Sequence, residues 1–187
     1  MHKKIEQIFP PKTNIPDNVT LSFPLKQSTY LINGELLEWN GPFEEVVSPI
    51  YFNDNQSLPN VIGYYPLMDK ETSLKALEAA KNAYNYGQGE WPSMTVKQRI
   101  ACLKNFTLLM KEQKTTVVKL LMWEIGKSTK DSEKEFDRTL DYINDTIEAL
   151  KDLDREASKL ILKQGIIAQI RRVPLGVVLC MGPFNYP

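Results

Sequence analysis

The chain has one histidine, His2, and two cysteines, Cys102 and Cys180. A lone His at the second position cannot build a Ser-His-Asp triad or a histidine metal cluster. The cysteines stand far apart without a C-x-x-C pairing, which fits reduced thiols rather than a disulfide or a zinc site, and no metal is expected. Net charge is missing as well: Lys plus Arg and Asp plus Glu each number 23 in 187 residues, so neither an acidic nor a basic partner is implied and no nucleic acid is expected. No apolar run approaches the roughly 20 residues that a bilayer span needs, so no membrane is expected either. The opening MHKKIEQIFP has two lysines but no apolar stretch and no small-residue cleavage site, and a cytoplasmic protein is the expectation. Internal repeats and low-complexity tracts are absent too. With 42% apolar and 25% charged residues, what remains is a soluble globular chain.

Residues 1–28 carry Pro10, Pro11, Pro16 and Pro24 with little periodicity, and read as an extended arm laid over something else or left mobile. YLINGELLEW alternates around Asn33-Gly34, which predicts a hairpin of Thr29 to Ile32 with Glu35 to Trp39. EEVVSPI, closed by Pro49, is a third candidate strand. From Asp69 the period becomes helical, with Gly87 as the expected stop. Thr95 and Gln98 form a capping-box signature for a second helix carrying Val96, Ile100, Leu103, Phe106 and Met110. A third helix is expected from Thr116 to Ile125, closed by Gly126, and a long fourth one capped by Ser128 or Thr129. The fourth would bury Phe136, Leu140, Ile143, Ile147 and Leu150.

Leu160 to Val173, broken by Gly165, reads as another hairpin. Val177 to Met181 is apolar on both faces, as in a parallel strand covered above and below by helices. Such a strand needs neighbours and none follow, so the chain is expected to be a piece of a longer protein. The alternative is that Val177 to Met181 joins the edge of the earlier hairpins and completes a small α+β domain.

Two residues draw attention for chemistry. Asn185 lies in GPFNYP, in a loop leaving the carboxyl end of the expected strand, where open α/β sheets place ligands and an amide can steady an oxyanion. The same residues also make an ordinary turn. Arg138 lies about 200° round the fourth helix from Phe136 at roughly 100° per residue, away from the core stripe. Its guanidinium can hold a phosphate bidentately or simply be solvated. Trp39, Trp91 and Trp123 fall in different elements without basic interleaving and read as packing residues.

Arg171 or Arg172 through Pro187, written RRVPLGVVLCMGPFNYP, resembles the start of the cofactor domain of aldehyde dehydrogenases, whose usual form is P-x-G-V-x-x-x-I-x-P-W-N-F-P. The likeness extends backwards from there. YLINGE is similar to the family's opening hairpin, GQGEW to the end of its A-x-x-A-F-x-x-G-x-W segment, Thr95 to Leu103 to S-x-x-E-R-x-x-x-L, and Glu124 to Lys127 to E-x-G-K. It covers about residues 30–187. FNYP in place of WNFP, with DRTLDYI at Asp137 to Ile143, resembles the NADP-dependent, non-phosphorylating glyceraldehyde-3-phosphate dehydrogenase branch.

The resemblance implies an α/β fold, the N-terminal part of an aldehyde dehydrogenase: β-hairpins, four helices and the first strand of a Rossmann-like parallel sheet. It divides the chain into an arm (1–28), a hairpin-plus-helical part of the cofactor domain (29–159), an oligomerisation-type hairpin (160–173) and the opening of the dinucleotide-binding sheet (174–187). It further implies oxidation of glyceraldehyde 3-phosphate to 3-phosphoglycerate with NADP, NAD remaining open, in a homo-oligomer. Arg138 would bind the substrate phosphate, and Asn185 and Tyr186 would meet substrate. Asn185 would steady the oxyanion of the thiohemiacetal, and Gly182, Pro183 and Phe184 would lie against the cofactor. The family's nucleophilic Cys and its Glu base lie downstream of FNYP and match neither Cys102 nor Cys180, so residues 1–187 are expected to be inactive alone. Two other readings stay open: an aldehyde dehydrogenase for another substrate such as a semialdehyde, and a non-catalytic helical interaction module.

Overall fold

The computed structural model describes residues 9–53 and 60–182. Two short 3-10 turns, Lys12–Asn14 and Asp17–Val19, lead into β1 (Leu25–Lys26). The hairpin expected around Asn33-Gly34 follows as β2 (Thr29–Ile32) and β3 (Glu35–Glu38), with Ile32 opposite Glu35 and Thr29 opposite Glu38. Both turn residues have positive φ, 54° and 79°, which lets the two-residue turn follow the twist of its strands.

The third expected strand is β4 (Phe43–Ser48), stopped before Pro49, and it pairs antiparallel with β5 (Asn60–Pro66). The sequence reading missed β5, because Gly63 and Pro66 punctuate NVIGYYP like a turn. Here the glycine does other work: a Cβ at Gly63 would stand 2.7 Å from the Leu25 carbonyl oxygen. Its absence lets β1 lie parallel to β5, with Leu25 opposite Gly63, in a sheet of order β1-β5-β4.

Helix α1 (Lys70–Tyr84) is capped by Asp69, whose side chain accepts from the Thr72 backbone N–H at 2.7 Å. It stops at Asn85 (φ 44°), ahead of the expected stop at Gly87, and a 3-10 turn spans Asn85–Gly87. After the single-turn α2 (Glu90–Ser93) comes α3 (Val96–Glu112), opened by the expected capping box: Thr95 N–H donates to Gln98 Oε1 at 2.9 Å, and Gln98 N–H to Thr95 Oγ1 at 3.3 Å. Helix α4 (Lys114–Ile125) starts slightly before the expected Thr116 and ends on left-handed Gly126 (φ 75°). Ser128 caps α5 (Thr129–Ala157), its Oγ accepting from the Asp131 N–H at 3.2 Å.

The core lies where α4 and α5 pack together. Val118, Phe136 and Leu140 are buried there with Met110, Val117 and Met122 against them, and Ile147 is buried further along α5. Ile143 and Leu150, expected in the same stripe, are half-buried.

Trp123 of α4, 6% exposed, ties the N-terminal segment down. Its Nε1–H donates to the Val19 carbonyl at 2.8 Å, and the Phe23 ring meets it edge-on at 5.1 Å. The Phe52 ring lies 6.2 Å away, Lys119 Nζ donates to the Thr20 carbonyl at 3.2 Å, and Ser48 Oγ donates to the Trp123 carbonyl. The N-terminal segment is therefore laid across α4.

The last hairpin, β6 (Ile161–Lys163) with β7 (Ile166–Ala168), turns at Gln164-Gly165 and is shorter than the expected Leu160 to Val173. A larger departure follows. Residues 174–182 form no strand, and Leu175 is 96% and Leu179 79% exposed. The apolar pattern of Val177 to Met181 is that of a covered strand, but backbone N–H and C=O groups make a ladder only with an adjacent strand, and none of the described residues supplies one. The alternative fails with it, since the segment joins none of the three sheets. Cys180, expected inside that strand, is therefore in an irregular exposed stretch, while Cys102 is on α3 and also exposed. No helix among the described residues is long and apolar enough to cross a membrane, and no group of three or more His, Cys, Asp or Glu side chains is placed to hold a metal ion.

Candidate functional site

Of the expected site residues, Arg138 and Gly182 fall within the described part of the chain. Pro183, Phe184, Asn185 and Tyr186 lie outside the described residues.

Arg138 projects from the exposed side of α5, where the 3.6-residue period puts it once Phe136 and Leu140 turn inwards. With Lys130, Glu133, Lys134, Asp137 and Asp141 it lines a shallow depression of about 470 Å³. Two of the acidic groups closest to it in sequence, Asp137 and Glu135, are engaged by lysines from outside α5, while Asp141, three positions further on, lines the same depression without an ion pair among the described residues. Lys114, the first residue of α4, places Nζ 2.7 and 2.8 Å from the two carboxylate oxygens of Asp137. Lys127, in the loop before α5, pairs with Glu135. The Thr139 hydroxyl donates to the Glu135 carbonyl at 3.1 Å and so turns back on its own helix. Among the described residues, the Arg138 guanidinium makes no hydrogen bond and no ion pair. It is an exposed cation whose five donors remain open to a planar or tetrahedral anion.

The second half of the candidate site is the segment leading to Asn185. Arg172 to Val178 borders a cleft of about 750 Å³ whose opposite wall includes Ala80 and Tyr84 of α1, Trp91, Arg99 of α3 and Leu150 of α5. Gly176 takes φ 108° and would place a Cβ 3.9 Å from the Tyr84 ring. Gly182 is exposed, with none of the described residues within 4 Å of where its Cβ would stand. A backbone so open is the prerequisite for close main-chain contact with a ligand. The cleft beside residues 172–178 and the depression beside Arg138 share no lining residue, so the described residues do not bring the two halves together. The sequence reading did not single out the lysine–aspartate pair beside Arg138, because its members lie 23 positions apart and leave no local signal.

The Aldehyde dehydrogenase family profile matches residues 52–187. A malonate-semialdehyde dehydrogenase of Bacillus cytotoxicus is 34% identical over 163 residues, covering 83% of this chain and 30% of the relative. Malonate-semialdehyde dehydrogenase 1 of Bacillus anthracis is 33% identical over 163 residues with the same coverage, 83% and 30%. Among solved structures, NADP-dependent glyceraldehyde-3-phosphate dehydrogenase from Bacillus halodurans C-125, complexed with NADP, superposes with a TM-score of 0.66 at 27% identity, over 85% of this chain and 32% of that one. Lactaldehyde dehydrogenase from Escherichia coli gives a TM-score of 0.60 at 26% identity, over 75% of this chain and 27% of that one. The chain thus spans about 30% of the length of the curated relatives it matches.

Proposed function

The chain belongs to the aldehyde dehydrogenase family, and from that premise we propose that it supplies the N-terminal part of an NAD(P)-dependent enzyme that oxidises an anionic aldehyde to the acid. The observation that carries the substrate class is the guanidinium of Arg138 on the outer face of α5, which has no partner among the described residues. A phosphate or carboxylate on the substrate offers that fork a bidentate partner.

Two anionic aldehydes compete. Glyceraldehyde 3-phosphate, oxidised with NADP, is favoured by the DRT and FNYP segments and by the backbone likeness to the Bacillus halodurans enzyme. A semialdehyde is favoured by the 34% identity to the Bacillus cytotoxicus enzyme. In either case Arg138 holds the charged end, Tyr186 contacts the substrate, and Asn185 donates its side-chain amide to the oxygen on which negative charge develops. A donor already fixed at that oxygen stabilises the transition state more than the ground state.

The nicotinamide cofactor, when bound, accepts the hydride. The exposed Gly182, with none of the described residues close to its Cβ side, fits a main-chain contact with that cofactor, and Pro183 and Phe184 would continue the same wall. Neither Cys102 nor Cys180 is proposed as the nucleophile.

In the same proposal the chain comprises an extended arm (1–28), the hairpin-plus-helical part of the cofactor domain (29–159), an oligomerisation-type hairpin (160–173) and the opening of the dinucleotide-binding sheet (174–187). Ile161, Leu162, Ile166 and Ile167 all stand exposed on the hairpin, which supports a homo-oligomer built through it. A cytoplasmic location goes with free Cys102 and Cys180.

The test is a substrate panel on the full-length enzyme. Initial rates are measured with glyceraldehyde 3-phosphate, malonate semialdehyde and an uncharged aldehyde of similar size, each with NADP and with NAD. The proposal expects kcat/KM for one of the two anions to exceed that for the uncharged aldehyde by at least about tenfold, the worth of one charge-assisted contact. Equal efficiency on all three would refute the anionic-substrate reading.

A further inference from the structure

Arg138 has acidic neighbours on its own helix, and their disposition decides whether it is available to a ligand. Asp137 is the nearest in sequence. Successive helical residues diverge by about 100°, so the two side chains do not face each other, yet both line the same depression on α5, and charges in solution act on one another over a Debye length of roughly 8 Å. An unneutralised Asp137 carboxylate would therefore repel any anion drawn to Arg138. The fold removes the Asp137 share of the acidic field from outside the helix, while Asp141, one turn further on in the same depression, makes no ion pair among the described residues. Lys114 reaches across from α4 and contacts both oxygens of Asp137, at 2.7 and 2.8 Å. Its Nζ also stands 6.0 Å from the ring centre of Phe136, one of the most deeply buried side chains, so the ammonium is held against the α4–α5 seam. Glu135, one turn towards the helix start from Arg138, is engaged by Lys127.

Stability alone does not account for this arrangement. Lys114 and Asp137 are 38% and 54% exposed, and ion pairs that open to solvent contribute little to folding. What the pair does change is the field at the neighbouring guanidinium. We propose that Lys114 is a positioning residue for substrate selection: by masking Asp137 it lowers the negative charge beside Arg138 and so strengthens the hold of that guanidinium on the anionic group of the aldehyde. The inference rests on the proposed role of Arg138 and adds a residue that touches no substrate.

The test is a set of variants of the full-length enzyme, assayed for KM and kcat on glyceraldehyde 3-phosphate, on malonate semialdehyde and on an uncharged aldehyde. Lys114→Ala raises KM for the preferred anion about threefold, as one partly screened charge at several ångströms implies. It leaves kcat and the uncharged aldehyde unchanged, and its effect shrinks as salt is raised. Asp137→Asn in the Lys114→Ala background restores the original KM, because the charge that needed masking is gone. Arg138→Ala raises the anion's KM by about tenfold or more, which is the loss of the charge-assisted contact itself. A melting temperature for each variant separates these effects from loss of fold.

If Arg138→Ala raises KM but Lys114→Ala does not, the masking role is wrong and the Arg138 reading stands. The masking role is equally wrong if Lys114→Ala raises KM for charged and uncharged aldehydes alike, or if Asp137→Asn fails to rescue it. If Arg138→Ala leaves KM for both anions unchanged, the substrate reading and the masking role fall together.

Discussion

Replacing Trp123 by phenylalanine separates the two ways in which this residue holds the N-terminal segment to α4. The ring would still meet Phe23 and Phe52, but the Nε1–H that donates to Val19 at 2.8 Å would be gone. An intramolecular hydrogen bond of this kind contributes about 1 kcal/mol net, and the orphaned Val19 carbonyl adds to the loss where water cannot reach it. The smaller ring also gives up apolar contact worth about 1 kcal/mol, roughly one buried methylene by area. The total, about 2 kcal/mol, corresponds to a fall in Tm of roughly 4–8 °C for a chain of this size. Urea unfolding followed by far-ultraviolet circular dichroism reads the stability without depending on the deleted indole. Hydrogen exchange supplies the local readout: the Val19 and Thr20 amides, which donate to Pro16 and Asp17 at 3.1 and 3.3 Å, should lose protection, while those of β6 and β7 keep theirs. A Trp123→Phe chain within about 0.5 kcal/mol of wild type would refute the anchoring role, since that is the scatter of neutral surface changes. Equal loss of protection in the distant hairpin would refute its locality.

Two further outcomes follow from local geometry. Gly89 has φ −64°, which any residue adopts, but a Cβ there would overlap the Ala83 carbonyl oxygen, so Gly89→Ala should cost at least about 3 kcal/mol by urea unfolding and pull α1 away from α2. The Thr72 backbone N–H holds the Asp69 carboxyl below its ordinary value of 3.8, so its cap is fully formed above that value and is lost as pH falls through the lower folded value. Helicity of α1 followed by NMR should therefore decline in acid below about pH 4, and Asp69→Asn, which caps without a charge, should abolish that decline.

What could be read in advance was what the chain encodes locally. Asn33-Gly34 sets a turn that only its neighbours need complete, Thr95 and Gln98 cap each other three residues apart, and Gly126 ends α4 by its own backbone freedom. The exposure of Arg138 is likewise a consequence of period alone, once Phe136 and Leu140 are inside. The misses depended on distant partners. Strand β5 exists because Gly63 lets the backbone of β1 approach, which nothing in NVIGYYP announces. Val177 to Met181 has the composition of a covered strand but finds no adjacent backbone to pair with among the described residues, and composition cannot provide one. The masking of Asp137 by Lys114 joins two helices and was equally invisible. At Asn85, a left-handed residue ended α1 before the glycine that looked like its stop, because asparagine tolerates that conformation better than other residues that carry a Cβ.

The measurement that bears most directly on the proposed chemistry is the kcat of full-length Asn185→Ala on its preferred aldehyde, with KM determined alongside. A donor that acts on the developing oxyanion predicts a fall in kcat of about 100- to 1,000-fold with KM little changed. A variant that turns over within twofold of the wild type would contradict that role for Asn185.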